Sequence, residues 1–296
     1  MELGLVYKDG RHIFDEAGLD ENGQQVPFLK FPLFENTGIV RHGFSTRKGG
    51  VSEGCFASMN LSFDRGDDPE AVRENFRRIG RAIGVRCEDM VLSRQTHTTN
   101  VRVVTEADRG KGVIRERDYN DVDGLVTDVP DICLVTSYAD CVPLYFVDPV
   151  KRVIGLSHSG WRGTVGKIGK KTVELMQEKF GCDSADILAA VGPSICVECY
   201  EVSEDVIGQF RAAFDREFWK ELFYAKENGK YQLNLWKANE LVFREAGILP
   251  EHMAVTNVCT RCNSKILYSH RAMGNRRGNL CAFLALDVEK QDEKRV

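Results

Sequence analysis

The chain has 296 residues, 43% of them hydrophobic and 28% charged, with a formal net charge of −4. This is an ordinary soluble composition with ample core material, and the slight acidity excludes a global pull toward nucleic acid or anionic membrane. No window approaches the roughly 18 apolar residues that a membrane span needs, and Met1 to Gly10 lacks a basic start followed by an apolar stretch, so the sequence predicts a cytoplasmic protein.

Residues 1–37 alternate short apolar runs with turn signals at Lys8-Asp9-Gly10 and Glu21-Asn22-Gly23, the pattern of hairpin strands. Residues 42–60 read as a polar, glycine-containing loop. Asp68 and Pro69 then supply an N-cap and a first-turn proline. Val72, Phe76, Ile79 and Ile83 mark one apolar helix face, and Gly84 is placed to end it. Short β-rich runs follow at 101–105, 124–127, 133–137, 144–147 and 153–158. Residues 163–180 read as one helix with Val165, Ile168, Thr172, Val173, Met176 and Phe180 inward. A strand at 187–191 stops at Gly192-Pro193. Helices begin after Ser203 and near Asn234, the latter closing at Gly247, and residues 289–296 form a charged, fraying tail. Strands and helices interleave with no composition break, so residues 1–296 are read as one mixed domain.

Residues 139–163 are the most informative. Cys141 precedes one strand and His158 follows the next, which brings them together only under some strand pairings. Asp140, Pro143, two glycines and Arg162 around them are poor core material and suggest loops shaped around a ligand. His97 adds a third donor just before the strand at 101. A His₂Cys set suits zinc or copper and leaves an open position for water or substrate. The same residues also permit thiol catalysis, in which Cys141 is activated by His158 beside Asp140. Residue types alone leave the two open.

Ten cysteines without an export signal point to buried thiols, metal ligands or nucleophiles rather than disulfides. Two pairs have CxxC spacing, Cys196/Cys199 and Cys259/Cys262, but 59 residues separate them. A compact zinc module has roughly 15 to 20. Glycine knuckles are also missing, and ordinary thiols are the favoured reading. Cys55, Cys87, Cys133, Cys182 and Cys281 are read as structural. Arg47, beside Gly49 and Gly50, could grip an anion such as phosphate, but composition alone favours a solvated hairpin loop, and the P-loop spacing is absent. The H-x-E…P-C-x-x-C signature of zinc nucleobase deaminases is absent too.

Several segments together resemble a known family: residues 42–47 (His-Gly-Phe-Ser-Thr-Arg), 49–52, 66–69, 95–97 (Gln-Thr-His), 123–127, 139–143 (Ala-Asp-Cys-Val-Pro) and 158–163 (His-Ser-Gly-Trp-Arg-Gly). Residues 192–195, 200–202 and 269–271 extend the match, which runs from about 38 to 287. The chain is similar to the YfiH family, also called the laccase-domain or multicopper polyphenol oxidoreductase family. The resemblance implies an α+β fold, a four-layered α/β/β/α sandwich with mixed sheets. It implies a metal site of His97, Cys141 and His158, usually holding zinc, with copper reported for some members. It further implies phosphorolysis of adenosine, inosine and S-methyl-5'-thioadenosine, plus adenosine deamination, so purine nucleosides and phosphate would be the partners, with no nucleic acid or membrane. Arg47, Arg162 and Asp140 are the candidate substrate contacts. The rival activities are a copper-dependent polyphenol oxidoreductase, for which six histidines are few, a Cys141-dependent hydrolase, and a peptidoglycan-precursor editing factor.

Overall fold

The computed structural model describes residues 3–19 and 25–288. The expected turn at Glu21-Asn22-Gly23 and the charged tail at 289–296 lie outside them. Among the described residues the strands are β1 (Asp15–Leu19), β2 (Gln25–Lys30), β3 (Val40–Ser45), β4 (Met90–Leu92), β5 (Val101–Val103), β6 (Gly124–Thr127), β7 (Cys133–Tyr138), β8 (Val142–Asp148), β9 (Val153–Ser159), β10 (Leu188–Val191), β11 (Glu201–Val202), β12 (Phe223–Ala225), β13 (Tyr231–Leu233), β14 (Met253–Val255) and β15 (Leu280–Leu286). The helices are α1 (Pro32–Glu35), α2 (Pro69–Ile83), α3 (Trp161–Val165), α4 (Ile168–Phe180), α5 (Glu204–Ala213), α6 (Trp219–Leu222), α7 (Leu235–Glu245) and α8 (His270–Met273).

The strands form two six-stranded sheets, ordered β1-β2-β3-β15-β7-β4 and β14-β10-β8-β9-β6-β5, and a small sheet β11-β13-β12. Both large sheets are mixed: β4–β7, β5–β6 and β10–β14 run parallel, the other pairs antiparallel. Side-chain alternation explains how they stack. Along β15, Leu280, Ala282, Leu284 and Leu286 enter the core between the sheets, whereas Cys281, Phe283 and Ala285 pack under α2. Along β8, Tyr145 and Val147 face the inter-sheet core, whereas Leu144 and Phe146 meet the layer containing α4 and α7. Strands covered on both faces read as nearly continuous apolar runs, and the result is the expected four-layered α/β/β/α order. Leu156 is fully buried between the sheets. Leu156→Ala should destabilise the fold by about 2–5 kcal/mol, measured as a lowered denaturant midpoint.

Helix α2 follows the sequence closely. Asp68 accepts the Glu70 N–H at 3.0 Å, Pro69 starts the first turn, and Gly84 closes the helix at φ 85°. Three segments depart from expectation, the first being residues 42–45, read as loop but paired as the end of β3. The helix expected over 163–180 is broken: α3 ends at Val165, and Lys167 at φ 58° restarts the chain as α4. The region around Lys8-Asp9-Gly10 forms no hairpin. Tyr7 instead bridges Val258, and Asn257 Nδ2 donates to the Asp9 carbonyl and carboxylate, so this segment is held by the far end of the chain.

Candidate metal centre

Two chain crossings and the end of a strand meet at one end of the sandwich. The link from β4 in the first sheet to β5 in the second carries His97. The link from β7 to β8 makes the same crossing and carries Cys141, immediately before Val142. β8 and β9 pair antiparallel with Val142 opposite Ser159 and Pro143 opposite His158. The start of β8 and the end of β9 therefore coincide, which resolves the pairing that sequence alone left open. The imidazole nitrogens of His97 and His158 and the Cys141 Sγ lie within 4.8 Å of one another. His158 is buried, Cys141 half-buried and His97 exposed, so the cluster opens outward from the core.

A carboxylate that sequence reasoning did not single out organises this cluster. Asp123, fully buried just before β6, bonds His158 Nδ1 through Oδ1 at 2.8 Å. The same carboxylate accepts the backbone N–H groups of Thr96 (2.9 Å), His97 (3.1 Å) and Thr98 (3.1 Å). It thus orients one imidazole directly and the other through its backbone, leaving Nε2 of His158 for the cluster. Gln95 ties the His97 segment to β7 by exchanging bonds with the Ser137 carbonyl and N–H. His97, Asp121 and Asp140 all have positive φ, at 67°, 54° and 85°. Such uncommon backbone persists where surrounding bonds over-determine it, often at functional sites. Gly160 leaves room for the cluster: a Cβ there would stand 3.0 Å from the His97 ring and 3.4 Å from Cys141 Sγ.

The electrostatics suit a thiolate. Burial alone would raise the Cys141 thiol, but the charge and hydrogen bonds of His158 and His97 pull it down to about 6. Burial would lower His158, yet Cys141 and Asp123 hold it up at about 9. A convergent thiolate and two imidazoles, one fixed by a carboxylate behind it, is a donor set that fits zinc or copper.

The other candidates fall elsewhere. Arg47 is not in this cluster. Its guanidinium donates to the Ala57 carbonyl (2.8 and 3.0 Å) and the Ser264 carbonyl (3.1 Å) and stacks over Tyr268, beside a separate depression shared with Lys48 and Lys265. These bonds tie the guanidinium to backbone carbonyls away from the cluster. Asp140 neighbours Cys141, and its carboxylate accepts from Thr260 Oγ1 and the Arg271 N–H, both at 2.6 Å, so it braces the loop. Arg162 lies over the Trp161 ring at 4.2 Å on α3, outside the cavity described next.

A cavity of about 460 Å³ opens onto His97, Cys141 and His158, with Arg65, Arg94, Arg117 and Arg277 in its wall. Among the described residues Asp64 is the one carboxylate lining it, paired with Arg94 at 2.9 Å. Arg277 is buried, and its Nε has no hydrogen-bond partner. Burial and the like charge of Arg65 lower its guanidinium to about 10, so it stays cationic at neutral pH. No motif in the sequence marks these arginines, which come from segments far apart in the chain. The structure also gathers Cys196, Cys199, Cys259 and Cys262 into a second cluster, against the expectation of ordinary separate thiols.

Residues 41–287 match the family described as multi-copper polyphenol oxidoreductase laccase. The chain belongs to this family. Among its relatives, the purine nucleoside phosphorylase YlmD of Bacillus subtilis is 35% identical over 85% of this chain and 90% of its own. The adenosine deaminase RL5 of an unknown prokaryotic organism is 34% identical over 79% of this chain and 90% of its own. The crystal structure of the hypothetical protein YfiH of Bacillus licheniformis superposes with a TM-score of 0.86 at 30% identity, covering 94% of this chain and all of that one. The layered architecture is thus the family's architecture.

Proposed function

We propose that this family member is a zinc-dependent purine nucleoside phosphorylase acting in the cytoplasm on adenosine, inosine and S-methyl-5'-thioadenosine, with adenosine deaminase activity at the same site. The observation that carries the reading is the cavity's charge: four arginines against one carboxylate, on the doorstep of the His97–Cys141–His158 cluster. Phosphate is the substrate that such a wall recognises, because guanidinium groups bind its oxygens in a planar fork. The relatives' names supply the nucleoside half of the proposal. None of the described helices is long and apolar enough to cross a membrane.

His97, Cys141 and His158 would hold the ion, and zinc bound there supplies Lewis-acid polarisation or an activated water. The arginines hold phosphate beside the ribose. In phosphorolysis a phosphate oxygen bonds C1′ as the C1′–N9 bond breaks, and the purine departs with the electron pair. Aligning the two reactants contributes by proximity, and the buried Arg277 offers the unpartnered donor for an oxyanion.

Nucleoside consumption with and without inorganic phosphate tests the reading. Ribose 1-phosphate should form only with phosphate present, whereas inosine should form from adenosine in its absence. One charge-assisted contact contributes about 1.5–3 kcal/mol, or one to two decades in affinity. Arg277→Ala should therefore raise the phosphate concentration for half-maximal rate by about 10–100-fold, while Arg47→Ala leaves it unchanged. Phosphate-independent turnover of every nucleoside would overturn the assignment. A second reading, thiol-nucleophile hydrolysis, draws on the Cys141–His158–Asp123 chain of contacts.

A further inference from the structure

We propose that Cys196, Cys199, Cys259 and Cys262 hold a structural zinc ion, distinct from the His97–Cys141–His158 centre. The four Sγ atoms lie within 4.8 Å of one another, with Cys199 and Cys262 at 3.6 Å. A zinc tetrathiolate with Zn–S bonds near 2.3 Å spaces its sulfurs about 3.8 Å apart. The cluster is therefore already close to the size of the coordination shell, before any ion contracts it. Disulfide sulfurs stand at about 2.05 Å, and a disulfide pairs two cysteines, whereas here four converge.

The fold, rather than a short loop, closes this site. β10 and β14 run parallel, with Val191 opposite Val255, and leave their sheet side by side. A further bridge pairs Ser194 with Cys259, so the two CxxC turns emerge together. The 59-residue gap that argued against a shared site is the excursion through α5, the small sheet and α7. The Cys199 N–H returns to the Cys196 carbonyl at 3.1 Å, and Cys259 Sγ receives the N–H groups of Cys196 (3.3 Å) and Cys262 (3.5 Å). N–H donors aimed at sulfur stabilise thiolates. Arg261 adds a cation at Cys199 Sγ, 3.4 Å away, which offsets part of the net charge of four thiolates around a divalent ion.

The surroundings show what the ion would do. Cys196 and Cys259 are buried with Ile195 against Tyr200 and Trp236, whereas Cys262 is exposed and gives a path for loading. The turn after Cys259 carries Thr260, whose hydroxyl braces Asp140 beside Cys141. Arg271 donates to the Cys199 carbonyl at 3.3 Å while its N–H holds the other Asp140 oxygen. The four-cysteine ion would thus pin the scaffold that shapes the Cys141 loop. Cysteine tetrads in tetrahedral geometry select zinc or iron, and zinc is the ion of closed four-cysteine sites whose task is structural.

The decisive measurement uses the full chain carrying His97→Ala and His158→Ala, which disables the other centre and leaves all four cysteines. Purified under reducing conditions without chelator, it should contain about one zinc per chain by elemental analysis, the number a four-ligand structural site holds. Cobalt(II) exchanged into it should show intense near-ultraviolet thiolate-to-metal charge transfer. Adding Cys199→Ser and Cys262→Ser should remove both the zinc and the cobalt band. If that variant does not fold, a mercurial titrated into the parent should release one zinc per chain. Iron in place of zinc, a protein mass lowered by the hydrogens lost to disulfides, or a folded metal-free protein whose four thiols react with no zinc released would each overturn the proposal.

Discussion

Replacing Cys141 with alanine should remove the metal from the His97–Cys141–His158 centre and cut turnover at least about 100-fold. The magnitude follows from comparison: partners behind metal ligands are worth 10–100-fold in affinity or activity when mutated, and Cys141 is itself a donor. Its Sγ is half-buried between two imidazoles, and no other sulfur or carboxylate belongs to that donor group. The fold should survive, because Cys141 sits at the rim of a core completed by Tyr138, Tyr145 and Leu156. Elemental analysis should show the zinc content falling by about one equivalent, with the four-cysteine ion retained. Cys141→Asp separates metal catalysis from thiol attack, since a carboxylate ligates zinc but cannot replace a nucleophilic sulfur. Activity that tracks the metal retained by Cys141→Asp supports the metal reading. Loss of activity with metal fully bound assigns Cys141 as the nucleophile.

The second large effect belongs to Asp123. Removing its side chain in Asp123→Ala leaves three backbone N–H groups and the His158 ring without their acceptor in a fully buried place. Breaking a buried pair of this kind costs about 3–5 kcal/mol, so the melting temperature should drop clearly. Asp123→Asn keeps the shape but turns one acceptor into a donor, which must oppose N–H groups already pointing at it. Metal affinity, measured by competition with a chromophoric chelator well below the melting temperature, should weaken about 10–100-fold in Asp123→Asn. A merely structural role would lower the melting temperature in both variants while leaving chelator competition in Asp123→Asn unchanged.

The three candidate donors could be picked out because histidine and cysteine are conspicuous in polar, glycine-bearing segments. Asp123 was not, since an aspartate before a strand is ordinary turn chemistry and its four partners come from segments distant in sequence. The same holds for Arg277, which no motif marks and which only the assembled cavity brings to the site. α2 was readable from cap to cap, because every signal it uses lies within its own residues. The break between α3 and α4 escaped notice because Val165 and Ile168 keep the apolar spacing across it, and only Lys167 adopts the left-handed backbone. The joined CxxC pairs were invisible for a topological reason: parallel pairing of β10 with β14 is a long-range fact that spacing does not encode.

The pairing of β8 with β9 sets more than the position of two donors. Side chains alternate across a strand, so a one-residue slip would send His158 to the opposite face of its sheet and away from Asp123 and Tyr138, whose ring centroid lies 5.6 Å from that of His158. Both faces of this hairpin are apolar, and hydrophobicity alone discriminates weakly between neighbouring alignments. The buried imidazole–carboxylate contact supplies the missing discrimination: a slipped chain would strand Asp123 without its partner. The residues that equip the centre for chemistry also act as its assembly key, and a chain that has folded wrongly here disqualifies itself from function at the same step.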